Sequence, residues 1–130
     1  MKPLAHNSTD AELLLYIDQW VRLLDAEDYE SAFALTEHHP EMGQTPRLIR
    51  EIIKSYGESN PEQKATLTGK PTDITQRKEV TRFDISPRGE AGEIWYDLNI
   101  DGITSDLTAT FTIRATPGGL IIQLDDIQVM

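Results

Sequence analysis

Residues 105–130 read SDLTATFTIRATPGGLIIQLDDIQVM. Leu107, Ala109, Phe111 and Ile113 share one parity; Thr108, Thr110, Thr112 and Arg114 share the other. A strand turns alternate side chains to opposite faces, so the pattern predicts a strand with one dry and one wet face. Thr116-Pro117-Gly118-Gly119 supplies turn chemistry, and Leu120, Ile122 and Leu124 then resume the apolar rhythm. A two-residue loop at Pro117-Gly118 pairs Ile113 with Ile122 and Phe111 with Leu124, which puts both apolar sets on one face. Past Asp125-Asp126 the apolar positions become Ile127 and Val129, on the opposite parity. One extra residue restores the phase, so a β-bulge or sharp bend is expected at the two aspartates.

The stretch before it joins the same sheet. Ile94, Tyr96, Leu98 and Ile100 alternate with Trp95, Asp97 and Asn99. Asp101-Gly102 follows, a strong hairpin signal because both central positions need positive φ. A regular hairpin there pairs Ile100 with Ile103, Tyr96 with Leu107 and Ile94 with Ala109, and sets Asp97 opposite Asp106. Three successive strands then agree on one apolar face, and agreement of pattern with turn chemistry is stronger than either alone.

Upstream, residues 1–8 read as a loose tail. Thr9-Asp10-Ala11-Glu12 has the form of a capping box, and Leu13, Leu14, Ile17, Val21 and Leu24 follow at helical spacing. Two helices are expected, over about 10–26 and 28–37. Glu37-His38-His39-Pro40-Glu41 reads as a connector, since Pro40 disfavours helix at His39. A third helix starts at Thr45-Pro46, carries Leu48, Ile49, Ile52, Ile53 and Tyr56 on its stripe, and stops at Gly57. Residues 65–68 suit a short edge strand and 71–76 are irregular. Residues 78–85 suit a strand with Phe83 and Ile85 set against Val80, and 86–92 a flexible turn. Helices first and strands afterwards argue an α+β fold: three N-terminal helices on a curved antiparallel sheet of four to six strands, in a single domain.

The chain has 130 residues, enough for a real core. It has no cysteine, which excludes disulfides and thiolate metal sites and fits a reducing cytoplasm. No run is apolar enough to span a membrane, and the start lacks the apolar core of a secretory signal. The formal net charge is −10. Residues 1–44 hold two basic and nine acidic side chains, residues 93–130 one and six. Such a balance opposes nucleic-acid binding; it serves solubility or offers a surface to a basic partner.

The helix break at Leu24-Asp25-Ala26-Glu27-Asp28-Tyr29, the third helix and the last strand Leu124-Asp125-Asp126-Ile127-Gln128-Val129 resemble the nuclear-transport-factor-2-like superfamily. Ser105-Asp106-Leu107-Thr108 with Leu124-Asp125-Asp126-Ile127 is similar to a family of small bacterial proteins of unknown function within it. The resemblance implies a cone in which a sheet curls around the helices. It leaves function open, because the superfamily holds isomerases, dehydratases and non-catalytic binders. Its isomerases place an acidic base inside the cone; here the inward parity carries no acid.

Asp97 and Asp106, opposed in the regular register, have the residue types of an acid–base pair, or are two solvated carboxylates. Trp20, Tyr56 and Tyr96 line a binding cavity or belong to the core. His38 and His39 with Glu37 and Glu41 have metal-ligand types, but adjacent residues seldom reach one ion, so no metal is expected. Asp125 and Asp126 could be re-aimed by the bulge. No phosphate loop, nucleophile elbow or zinc signature occurs, so no residue is assigned a catalytic role and no cofactor is expected. The resulting expectation is a cytoplasmic, non-catalytic interaction or accessory protein, of which an immunity-type protein is one form. A small-molecule-binding cone and an isomerase- or hydratase-like enzyme are the alternatives. Trp95 and Ile121, apolar on the wet face, with Arg114, mark a homodimer interface through the sheet.

Overall fold

In the computed structural model, which describes residues 1–70 and 75–130, α1 spans Asp10–Asp25, α2 Tyr29–Leu35 and α3 Pro46–Ser55. The strands are β1 Glu37–His38, β2 Ala65–Thr66, β3 Lys78–Arg82, β4 Glu90–Ile100, β5 Ile103–Thr116 and β6 Gly119–Val129. They form one six-stranded sheet in the order β1-β6-β5-β4-β2, with β3 also on β4. β1 runs parallel to β6 and the other pairs are antiparallel, so the curled sheet is mixed. The segment 71–76 of the sequence reading falls largely on 71–74, outside the described residues.

The helices start where their caps dictate. The Thr9 side chain accepts from the Glu12 N–H while Glu12 reaches back to the Thr9 N–H, completing the capping box. Asp28 caps α2 through the Ser31 N–H, and Thr45 caps α3 with Pro46 in its first turn. Leu13, Ile17, Trp20, Val21 and Leu24 of α1 are buried, as are Ile49 and Ile53 of α3. They meet the inward parity of the sheet: Ile94, Tyr96, Leu98, Leu107, Ala109, Phe111, Ile113, Ile122 and Leu124. Each of the large aliphatic and phenylalanine side chains among them contributes roughly 1.5–3 kcal/mol on burial. Trp20 meets Phe111 edge to face at 5.2 Å between centroids.

Both hairpins turn at the expected places. Thr116 pairs with Gly119, Ile113 with Ile122 and Phe111 with Leu124; Ile100 pairs with Ile103. The expected bulge lies at Asp125, because Thr110 faces Asp126 and Phe111 faces Leu124. Further down the β4–β5 pair the register differs from a regular hairpin. Asn99 faces Thr104, but Asp97 faces Thr108 and Tyr96 faces Ala109. Two extra residues of β5 are thus accommodated opposite Leu98. An even insertion keeps every side chain on its own face, which is why the apolar parity survives the shift.

Residues 1–8, expected as a loose tail, are pinned along the β6 edge. Leu4 and Leu120 exchange two backbone hydrogen bonds of 2.8 Å. Gly119 permits the approach: its φ is +138°, and a Cβ there would sit 2.1 Å from the Leu4 carbonyl oxygen. The connector at Glu37-His38 is β1, a strand the sequence reading did not include. The strand expected over 78–85 ends at Arg82, and Phe83 and Ile85 lie exposed beyond it.

Candidate functional site

Both motifs that carried the family resemblance are β-bulges whose side chains satisfy displaced backbone groups. In Ser105-Asp106-Leu107-Thr108, Ser105 Oγ donates to the Leu98 carbonyl (2.7 Å) and accepts from the Leu107 N–H (3.1 Å). The extra pair of residues swings Asp106 out to the rim of the cone, where its carboxylate accepts a hydrogen bond from the Tyr56 hydroxyl. Tyr56 reaches it from the C-cap of α3, just before Gly57 turns the chain with φ +60°. In Leu124-Asp125-Asp126-Ile127, the bulge keeps both aspartates on the outer face. Asp125 accepts from Thr112 Oγ1 (2.6 Å) and Gln123 Nε2 (2.7 Å), and Asp126 takes the Ile127 N–H (2.8 Å). Neither acid turns into the cone.

Asp97 and Asp106 are therefore not the opposed pair of the regular register. Asp97 is 8% exposed, and its carboxylate accepts from Thr108 Oγ1 (2.7 Å), the Arg77 N–H (3.1 Å) and the Arg77 guanidinium (3.3 Å). Its charge is compensated and its lone pairs are occupied, the condition under which a carboxylate can be buried. The two acids still line one groove. Tyr56, Arg77, Asp97, Thr104, Ser105, Asp106, Thr108 and Met130 enclose about 420 Å³ at the rim. Two further grooves abut it: one of about 510 Å³ between α3 and β6, lined by Ile52, Leu107, Ile127 and Val129 among others, and one of about 340 Å³ over the β4–β5 turn at Ile103. All three share Tyr56. Its phenol is held above the ordinary tyrosine range by the bond to Asp106, with burial adding to the effect.

Of the residues singled out from sequence, Tyr56, Asp97 and Asp106 come together here. Trp20 and Tyr96 do not: both are fully buried in the core. Tyr96 leads to an acid that sequence reasoning missed. Its hydroxyl donates to Asp18 Oδ1 (2.6 Å), and Lys78 Nζ lies 3.2 Å from the same oxygen. Burial, then the bond to Asp18, raises the Tyr96 phenol well above its usual range. Asp18 sits one residue from Ile17 on the inner side of α1, an acid at the border of an apolar stripe, and that was the available signal. His38 is half-buried and stacked on Phe33 at 3.8 Å, with burial lowering its pKa. His39 lies in a separate groove with Arg88, Arg114 and Asp125. Among the described residues no group of acids and histidines has the geometry of a metal site.

The interface residues separate. Arg114 faces Ile121 across β5 and β6, whereas Trp95 faces Thr110. Trp95 is half-buried, with the Arg77 guanidinium 4.8 Å from its ring centroid, so it has a partner within the chain. Among the described residues no helix is long and apolar enough to cross a membrane.

No curated protein and no solved structure matches the chain. Residues 21–130 match one family model, which takes in all the strands, both bulges and the Tyr56 rim; the chain belongs to the DUF7668 family, a domain of unknown function.

Proposed function

We propose that the chain is a non-catalytic interaction protein of the nuclear-transport-factor-2-like kind, and that it docks a partner protein at the Tyr56–Asp106 rim. The observation that carries this is the meeting of three open grooves at Tyr56, above an interior filled by Trp20, Tyr96 and Phe111. An enzyme of this fold needs an uncommitted acid or histidine in a cleft, and His38 is stacked on Phe33 instead. Asp97 is committed to Arg77 and Thr108, and Asp18 to Tyr96 and Lys78. Exposed Ile103, Val129 and Met130 border the rim and suit a protein surface. Affinity purification of the full chain from its own cells tests the reading. A specific protein recovered by the wild type, lost with Tyr56→Ala/Val129→Glu and kept by Ile121→Glu, is the expected result. Recovery of no protein, or equal recovery by the rim variant, refutes it.

The outer sheet face is a second proposed surface, for a second copy of this chain, because Ile121 and Arg114, opposite each other on β6 and β5, lie on the face turned away from the core on which the described helices pack. A dimer mass in light scattering that Ile121→Glu reduces to monomer supports it; a monomer mass for the wild type refutes it.

A further inference from the structure

We infer that the occupant of the rim is a basic segment of a second protein, bearing apolar side chains between its cationic ones; this rests on the docking reading above. The floor of the joined grooves is apolar: Ile52, Leu107, Ile127 and Val129 on one side of Tyr56, Ile100 and Ile103 on the other. The charged groups at its border are unequal. Arg77 and Asp97 cancel each other, which leaves Glu58, Asp101 and Asp106, all exposed. Lys54 is paired with Glu27, and Lys64 with Asp25; Lys64 also feels the charge of Asp101, whose carboxylate accepts the Lys64 backbone N–H (3.1 Å), so Asp101 is partly offset while Glu58 and Asp106 have no basic partner among the described residues. Asp106 keeps one carboxylate oxygen beyond its bond to Tyr56, and Tyr56 can only donate in that bond, so the pair fixes a negative acceptor at the junction of the grooves. An acidic segment would meet like charges here and an uncharged one would leave Glu58 and Asp106 without a counter-charge, whereas lysine or arginine side chains would pair with them as apolar neighbours fill the floor. This is a localised complementarity, distinct from the general acidity of the chain.

A phage-displayed library of random dodecapeptides, panned on the immobilised full chain and counter-selected on an Asp101→Asn/Asp106→Asn variant, reads the chemistry directly. The expected consensus interleaves Lys or Arg with Leu, Ile, Val or aromatic residues. A synthetic consensus peptide, followed by fluorescence anisotropy, should bind about tenfold more weakly to the double variant and lose affinity with added salt. It should also weaken with Val129→Ser, while Ile85→Ser, remote from the rim, leaves it unchanged. Circular dichroism confirms that each variant is folded. Peptides that compete for the rim but are acidic or uncharged overturn the basic-segment inference and leave the docking reading standing. Peptides indifferent to every rim substitution overturn both.

Discussion

Phe111→Ala probes the strand parity on which the whole fold rests. Phe111 is fully buried, inward-facing on the central strand β5, paired with Leu124 and set edge to face against Trp20 at 5.2 Å. Truncating a buried phenylalanine in a packed core costs roughly 3–5 kcal/mol, from lost transfer energy and the cavity left behind. The aromatic pair accounts for about 0.5–1.5 kcal/mol of interaction beyond area burial, which places this site in the upper part of that range. In a domain of this size each kcal/mol lowers Tm by roughly 3–5 °C, so a fall of about 12–25 °C is expected. Urea denaturation followed by tryptophan fluorescence gives the free energy, with Ile103→Ala as the control on an exposed apolar site and a cost within about 0.5 kcal/mol. A loss under about 1 kcal/mol for Phe111→Ala would mean that this side chain does not face the helices, and the parity argument would fail.

Gly119→Ala should detach residues 1–8 from β6 by placing a methyl group against the Leu4 carbonyl, seen as faster amide exchange at Leu4 and Leu120 with the rest of the sheet unchanged; continued protection of both amides contradicts this account of the edge. His38 is held below its ordinary pKa by burial against Phe33, so its contribution is complete above the unfolded value of about 6.5 and is lost as pH falls through the folded one. Unfolding free energy should therefore drop between about pH 7 and 5 by a component missing from His38→Phe; identical profiles for the two proteins refute it. Tyr56 should ionise above the ordinary phenol value of about 10 and return toward it in Asp106→Asn, read by NMR titration; an unchanged midpoint would deny the hydrogen bond its role. Tyr29, which burial pushes up to about 12, adds alkaline sensitivity: its contribution is present below about pH 10 and lost as pH rises toward 12, so Tyr29→Phe should lose less stability over that range while the share from Tyr96 remains, and an unchanged alkaline profile refutes it.

The apolar face, both hairpins and the bulge at Asp125 were legible because each is written as a parity or as turn chemistry in consecutive residues. The second bulge was not. An insertion of one residue inverts the apolar parity and announces itself, as at Ile127; an insertion of two restores it and leaves Leu107, Ala109 and Phe111 in phase. The pairing of Asp97 with Asp106 was drawn from that missing signal. Their actual partners, Arg77 and Tyr56, lie 20 and 50 residues away, a separation no local pattern reports. Tyr56 itself was picked out as an aromatic on a helical stripe, yet its role at the rim comes from Gly57 ending the helix. β1 escaped because a two-residue parallel strand carries no periodicity, and the N-terminal segment because its two bonds to Leu120 depend on the Gly119 backbone.

The most direct test of the rim as the working surface is site-specific photocrosslinking in the chain's own cells. Benzoylphenylalanine in place of Val129, exposed beside Tyr56, should give a discrete adduct with a second protein. Its yield should fall in the Asp101→Asn/Asp106→Asn background, and the same group in place of Ile85, equally exposed but beyond β3, should give none. An adduct from position 85 or 121 with nothing from position 129 would contradict the account.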